Sequence, residues 1–277
     1  MVAASVSRAA FPLDLERNDL STPLGRFRVE RRGERPRAVF LHGFAGEGAL
    51  WDPVWVRLPA DWALARYDLR GFGATAAPCD EPYDHAADLE AVLDALGIAR
   101  TALVGHSLGG AVALRFALDH PERVERLALL SPALVGWEWS PAWQARWEAI
   151  RARARAGDLE GAKVLWWTHP LFHGLRNKPT ARLARAALAR YGGGHWMGDA
   201  ARPAMPDLER LPGLACPTLL LAGGADLPDF QLIVNAVAAL APRVRREDLP
   251  GVGHCLPLEA PDAVADHLAA FLAEGPQ

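Results

Sequence analysis

The stretch that decides the fold is Leu103-Val104-Gly105-His106-Ser107-Leu108-Gly109-Gly110, LVGHSLGG, near the middle of the chain. Gly105 to Gly109 match the pattern G-x-S-x-G, preceded by an apolar strand-like run and followed by a helix-like one, which is the context that pattern requires. Small neighbours are demanded because such a serine sits on a sharp, strained turn where a larger residue would clash. A serine hydroxyl is a poor nucleophile at its free pKa, so the stretch carries chemistry only if a base, an orienting acid and an oxyanion site lie elsewhere in the chain.

Each of those parts has a candidate. The loop Phe40-Leu41-His42-Gly43-Phe44-Ala45-Gly46 follows a strand-like run, and in this geometry the backbone N–H of Phe44 converges with that of Leu108, the residue after the serine, to hold an oxyanion. His254, in Pro250-Gly251-Val252-Gly253-His254, stands between the last strand candidate and the C-terminal helix pattern, and imidazole titrates near neutrality, as a proton shuttle must. Asp226, in Gly223-Gly224-Ala225-Asp226, directly follows TLLLA and is the acid expected to hold Nδ1–H of His254; Asp229 is its rival, three residues on, where a helix begins. The turn after Leu130 reads Ser131-Pro132 and offers no acid. His42, His85, His106, His120 and His267 read as surface or capping residues.

The surroundings of these motifs alternate between strand and helix. Strand candidates are Ala38 to Leu41, Ala63 to Tyr67, Thr101 to Val104, Val124 to Leu130, Thr218 to Leu221 and Val244 to Leu249, and between them apolar residues recur at helical spacing. Leu89, Val92, Leu93 and Leu96 form one such face; Phe230, Ile233, Val234 and Val237 form a second; Val264, Leu268, Phe271 and Leu272 form a third. This pattern predicts a parallel sheet covered by helices, with Ser107, Asp226 and His254 each at the carboxyl end of a different strand.

The alternation breaks between residues 133 and 207. No strand candidate occurs there, seven of the ten tryptophans do, and the segment carries the arginine-rich run RARARAGDLEGAK between Ser131-Pro132 and the Pro203 to Pro206 stretch. We therefore expect residues 133–207 to form a helical cap over a core built from 1–132 and 208–277. Trp137, Trp143, Trp167 and Trp196, with Trp139 and Trp166, are the candidates to line an apolar cavity, and Arg146, Arg176 or Arg190 to pair with a substrate carboxylate.

Bulk properties bound the function. The 277 residues are 51% hydrophobic and 23% charged with a net charge of only −3, so neither disorder nor a nucleic-acid-binding surface is indicated. Three cysteines, Cys79, Cys216 and Cys255, show no CxxC spacing, and His169 and His173 are separated by Pro170 with no acidic partner, so neither a disulfide framework nor a metal site is expected. Cys255 lies on the histidine's own loop and reads as packing. MVAASVSRAAFPLDLERNDL lacks a sustained apolar core, and no apolar run of about 18 residues occurs, which points to a cytoplasmic protein without membrane or nucleic-acid partners; a homodimer is compatible with all of this.

With these residues in view, the chain resembles the α/β-hydrolase superfamily over nearly its whole length. LHGF at Leu41 to Phe44, DLRGFG at Asp68 to Gly73, GHSLGG at Gly105 to Gly110, HPERV at His120 to Val124, GGAD at Gly223 to Asp226 and GVGH at Gly251 to His254 carry the likeness. The resemblance implies an α/β fold with an eight-stranded, mostly parallel sheet flanked by helices, a helical cap after the sixth strand, and a Ser107–Asp226–His254 triad. It also implies a cofactor-free serine hydrolase acting on a small ester, thioester or lactone with an apolar acyl or aryl group. A carbon–carbon bond hydrolase with the same triad, or a silent ligand-binding homologue, is the alternative. Serine at 107 departs from the aspartate of haloalkane dehalogenases, and Ala111 departs from the arginine that menaquinone-pathway synthases carry four residues after the nucleophile.

Overall fold

The structure, a computed structural model, describes residues 15–198, 200–202 and 204–274. The N-terminal stretch read for a leader falls largely outside these residues, as does Pro203. Eight strands form one sheet: β1 (Glu16–Thr22), β2 (Gly25–Arg32), β3 (Ala38–Leu41), β4 (Leu64–Tyr67), β5 (Thr101–His106), β6 (Val124–Leu130), β7 (Thr218–Gly223) and β8 (Val244–Leu249). Their order is β1-β2-β4-β3-β5-β6-β7-β8. From β4 to β8 every neighbouring pair is parallel, while β1 and β2 form an antiparallel hairpin that joins the edge at β4.

That hairpin supplies the two strands of the expected eight that were not among the six strand candidates. ERNDLST and GRFRVERR are too polar to read as buried strands because β1 is an exposed edge; only Phe27 and Val29, alternating on β2, reach the core. Arg17–Glu30, Arg28–Asp19 and Arg31–Glu16 pair across its two strands. β8, whose sequence is VRREDL, forms the opposite edge and is charged for the same reason.

Alternation along the central strands divides the core into two layers. Val39, Leu41, Leu103, Leu127, Leu129 and Leu220 face one side, where α2 (His85–Ala95), α3 (Leu108–Asp119) and α8 (Pro228–Leu240) pack. Ala38, Phe40, Val104, Ala128, Leu130, Leu219 and Leu221 face the other, against α1 (Asp52–Trp55), α9 (Leu256–Glu259) and α10 (Pro261–Ala273). Helices on both faces bury the sheet twice, which is why its central strands are almost wholly apolar.

Between β6 and β7 the described residues contain no strand paired into the sheet. They hold α4 (Pro141–Arg155), α5 (Leu159–Trp167), α6 (Ala181–Arg190) and α7 (Gly194–Met197). Asp229 ties the first of these to the core: its carboxylate accepts from the amide and hydroxyl of Ser140, the N-cap of α4, at 2.9 and 2.7 Å. The rival acid is thus committed to the junction between α4 and α8. Arg190 makes a second tie, pairing with Glu47 at 2.5 Å.

Arg66 holds the first part of the site in place. It lies on β4 with 1% of its side chain exposed, stacks on Trp55, and pairs with Glu30 and Asp52, each at 2.6 Å. Asp52 opens α1, after the single helical turn Gly48–Trp51 that ends the connection from β3. Removing the shared cation takes a buried ion-pair partner from both carboxylates, so Arg66→Ala is expected to cost about 3–5 kcal/mol of stability, measured by urea denaturation. A loss under about 1 kcal/mol would contradict this account.

Candidate active site

Ser107 links β5 to α3 with φ 52° and ψ −115°, a backbone conformation that side chains rarely adopt. Glycines make the turn possible. A Cβ at Gly105 would run into the carbonyl of Gly109, and one at Gly109 into the carbonyl of Leu41. The backbone is locked from both sides: Ser107 N–H donates to Leu130 O at 3.1 Å, and its carbonyl accepts from Ala133 N at 3.0 Å.

Three loops at the carboxyl ends of β5, β7 and β8 bring Ser107, Asp226 and His254 together. His254 Nε2 lies 2.9 Å from Ser107 Oγ, and its Nδ1 lies 2.9 Å from Asp226 Oδ2. Asp226 keeps only 1% of its side chain exposed. Burial alone would raise its carboxyl, but the facing His254, with hydrogen bonds from His254, Ser131 and the Leu227 amide, holds it below the ordinary carboxylate range. It is therefore ionised at neutral pH and fixes Nδ1 as the protonated nitrogen, which leaves Nε2 free to accept the serine proton.

Phe44 and Leu108 both border the cavity beside Ser107. Leu108 is the first residue of α3, so its amide belongs to the helix start that has no intrahelical acceptor. The Phe44 amide has no protein acceptor among the described residues. Gly43 lets this loop close on the elbow, since a Cβ there would sit 2.9 Å from His106 Nδ1.

Two contributors were not expected from the sequence. His106, read as a surface or capping residue, instead lines the cavity and donates Nε2–H to the carbonyl of His254 at 2.9 Å. Ser131, on the turn that supplies no acid, has φ 38° and hydrogen-bonds the acid supplied by β7. His42 is also buried: Leu69 N–H donates to its Nε2 at 3.0 Å, so Nδ1 carries the proton and donates to Gly43 O at 2.8 Å. Burial lowers the His42 pKa to about 4 and that of His106 to about 3.

The cavity over Ser107 has a volume of about 530 Å³ and is walled mainly by rings. Trp143 lines it as expected, along with Trp139, Trp147, Trp166, Phe172 and Phe230. Trp139, Trp143 and Trp147 are spaced four apart and so share one side of the α4 region. Trp137, Trp167 and Trp196 do not line it. Trp167, next to Trp166 and therefore turned about 100° around α5, packs on Phe172 and under the Arg185 guanidinium. Trp196 is fully buried behind Phe44 and against Tyr191, and Trp137 is half-buried on the turn before α4.

The arginines proposed for a carboxylate are engaged elsewhere or outside. Arg176 donates to the carbonyls of Trp167, Thr168 and His169, Arg190 pairs with Glu47, and Arg146 is exposed. His169 accepts from Leu171 N–H through Nδ1, and no group of three or more metal-type ligands occurs among the described residues. Cys255 is buried; burial, with Glu259 and Asp226 nearby, pushes its thiol well up, so it stays protonated.

The fold has counterparts among known proteins. The alpha/beta hydrolase fold family matches residues 36–261, and the chain belongs to it. It is 32% identical over 256 residues to "Putative carbamate hydrolase RutD" of Klebsiella pneumoniae (strain 342), covering 86% of this chain and 92% of that protein. It is 26% identical over 292 residues to carboxylesterase YbfK of Bacillus subtilis, covering 97% and 92%. The crystal structure of that carboxylesterase superposes with a TM-score of 0.76 at 24% identity, covering 96% of this chain and 94% of that one. Among the described residues no helix is long and apolar enough to cross a membrane.

His42 and His106 make stability depend on pH. Their folded pKa values, about 4 and 3, lie below the ordinary 6.5, so the unfolded chain binds protons that the native state does not. Their contribution is complete above about pH 6.5 and is lost as pH falls below it. The midpoint of thermal unfolding, followed by circular dichroism, is expected to fall steadily from pH 7 to pH 5; a flat profile over that range would contradict the neutral state of His42 and His106.

Proposed function

We propose that this α/β hydrolase cleaves a carboxylic ester, thioester or lactone of a small molecule with an apolar acyl or aryl group, through an acyl-enzyme on Ser107. The observation that carries this reading is the pair of 2.9 Å contacts that aligns Ser107, His254 and Asp226 at a strained turn. As Ser107 Oγ attacks the carbonyl carbon, its proton passes to His254 Nε2. Asp226 stabilises the imidazolium, and the amides of Phe44 and Leu108 receive the charge on the carbonyl oxygen. Collapse expels the alcohol or thiol, which takes the proton from His254; water then repeats the sequence against the acyl-enzyme and releases the acid. These steps require no group beyond the named residues.

The cavity argues for the size and character of the substrate. A volume of about 530 Å³ walled by Trp139, Trp143, Trp147, Trp166 and Phe230 suits a ring or a branched chain, whose transfer from water such walls favour. A carbamate carbonyl would meet the same relay, and the name of the 32% identical relative points that way. The walls favour the bulkier ester, because a bare carbamate of four heavy atoms would leave most of that space empty.

Two measurements test the reading. Ser107→Ala is expected to lower kcat on an activated aryl ester by about ten-thousand-fold or more, and to abolish labelling by a fluorophosphonate. Full activity in that variant would end the assignment. Trp143→Ala is expected to raise KM about five- to ten-fold for a naphthyl ester and to leave the KM for the matching acetate within about two-fold. Equal effects on both esters would remove the aromatic wall from substrate selection.

A further inference from the structure

One buried carboxylate beside the relay has no part in the steps above. Glu259 ends α9 with 7% exposure, and among the described residues no Lys or Arg pairs with it. Its two oxygens face two backbone amides instead: Oε2 accepts from Gly253 N–H and Oε1 from Cys255 N–H, both at 2.9 Å. Those amides are the ones immediately before and after His254. An ion this deep is costly unless fully hydrogen-bonded, and charge-assisted bonds of this kind are about twice as strong as neutral ones.

The geometry points to Glu259 as a positioning residue that fixes the peptide preceding Gly253 and the peptide following His254, and so holds the imidazole in line between Asp226 and Ser107. The relay needs both ring nitrogens at bonding distance at once, and the direction of the ring follows from the backbone at residue 254. The backbone around it is held by Glu259 at the amides of Gly253 and Cys255, and at the His254 carbonyl by His106 and the Leu256 amide. The carboxylate also lies beside Cys255, where it helps keep the neighbouring thiol protonated and out of competition with Ser107.

The segment between β6 and β7 keeps the carboxylate seated. Gly174 lies directly over Glu259, and a Cβ at Gly174 would occupy the place of Oε2. The φ of Gly174 lies outside the left-handed region, so alanine there meets no backbone strain and acts only through the carboxylate. Two further contacts join the same segments: Thr180 Oγ1 donates to Leu258 O at 2.6 Å, and Cys255 Sγ faces Leu171 O at 3.8 Å. Gly253 is small for a related reason, since a Cβ there would sit 3.0 Å from both carboxylate oxygens.

This inference rests on the hydrolytic role of Ser107, and its test separates the two. Wild type, Glu259→Gln, Glu259→Ala, Gly174→Ala and the Glu259→Ala/Gly174→Ala double variant are titrated with a fluorophosphonate, and kcat on an activated aryl ester is expressed per titrated serine. Glu259→Gln keeps the side chain's size but turns an amide NH₂ toward one backbone N–H. It is expected to lower kcat per site about ten-fold or more with KM within about two-fold, because sub-ångström misplacement of a reacting group is costly in rate. Gly174→Ala is expected to do the same with Glu259 still present, and to add nothing in the Glu259→Ala background, where there is no carboxylate to displace. A role limited to stability would lower the melting temperature and the titrated fraction while leaving kcat per site unchanged, and that result overturns the proposal, as does additivity of the two variants. If wild type takes no label, the hydrolytic reading itself falls; if it takes label and the variants keep their kcat, only the role of Glu259 falls.

Discussion

Ser107 occupies a backbone conformation that its side chain would ordinarily avoid, and the rest of the site is arranged around keeping it there. At φ 52° the residue stores strain of about 1–3 kcal/mol, which persists only because the surrounding structure leaves no alternative. Gly105, Gly109 and Gly43 supply the clearance, the Leu130 carbonyl and the Ala133 amide hold the peptide from both sides, and α3 begins at once behind it. The turn brings Oγ within 2.9 Å of His254 Nε2, beside the first amide of α3. In the proposed reaction one local distortion therefore serves both the nucleophile and the charge it creates.

Around that turn the polar and apolar parts are kept apart. Below the reacting position lie the relay and its supports, His106, Ser131 and Glu259, each with its hydrogen bonds directed into neighbouring loops rather than into the cavity. Above it lies a shell of rings on α4 and α5, joined at Phe44 to a second layer made by Phe72, Tyr191, His195 and Trp196. Phe44 thus joins a side chain packed among aromatics to a backbone at the cavity wall, so the packing behind the cavity bears on the placement of the proposed oxyanion donor.

Much of this was legible in the sequence because the constraints are local. G-x-S-x-G, GGAD and GVGH are short motifs dictated by backbone clearance at single turns, and the central strands are apolar because helices cover both faces. The hairpin of β1 and β2 escaped because an exposed edge strand carries arginine and glutamate as readily as a loop does. Trp137, Trp167 and Trp196 were misplaced for another reason: tryptophan at helical spacing shows that a face is buried, but not whether it meets a cavity or a neighbouring helix. His106 and Ser131 escaped because their value lies in which partner the fold brings opposite them, a fact no spacing records.

The sheet order carries a consequence for how the molecule acquires activity. Ser107 and His254 are 147 residues apart in sequence, and Asp226 lies 28 before His254, yet all three meet within hydrogen-bond reach. That meeting exists only after β6 has docked on β5, β7 on β6 and β8 on β7, and non-local pairings of this kind are the slow, entropically expensive events of folding. The polypeptide must close its longest loops before the relay is complete, so no partly folded species lacking β7 or β8 has the acid and the base in place. The contact of Ser107, His254 and Asp226 is a late product of folding, and turnover by the proposed route would report that β5 to β8 have all assembled.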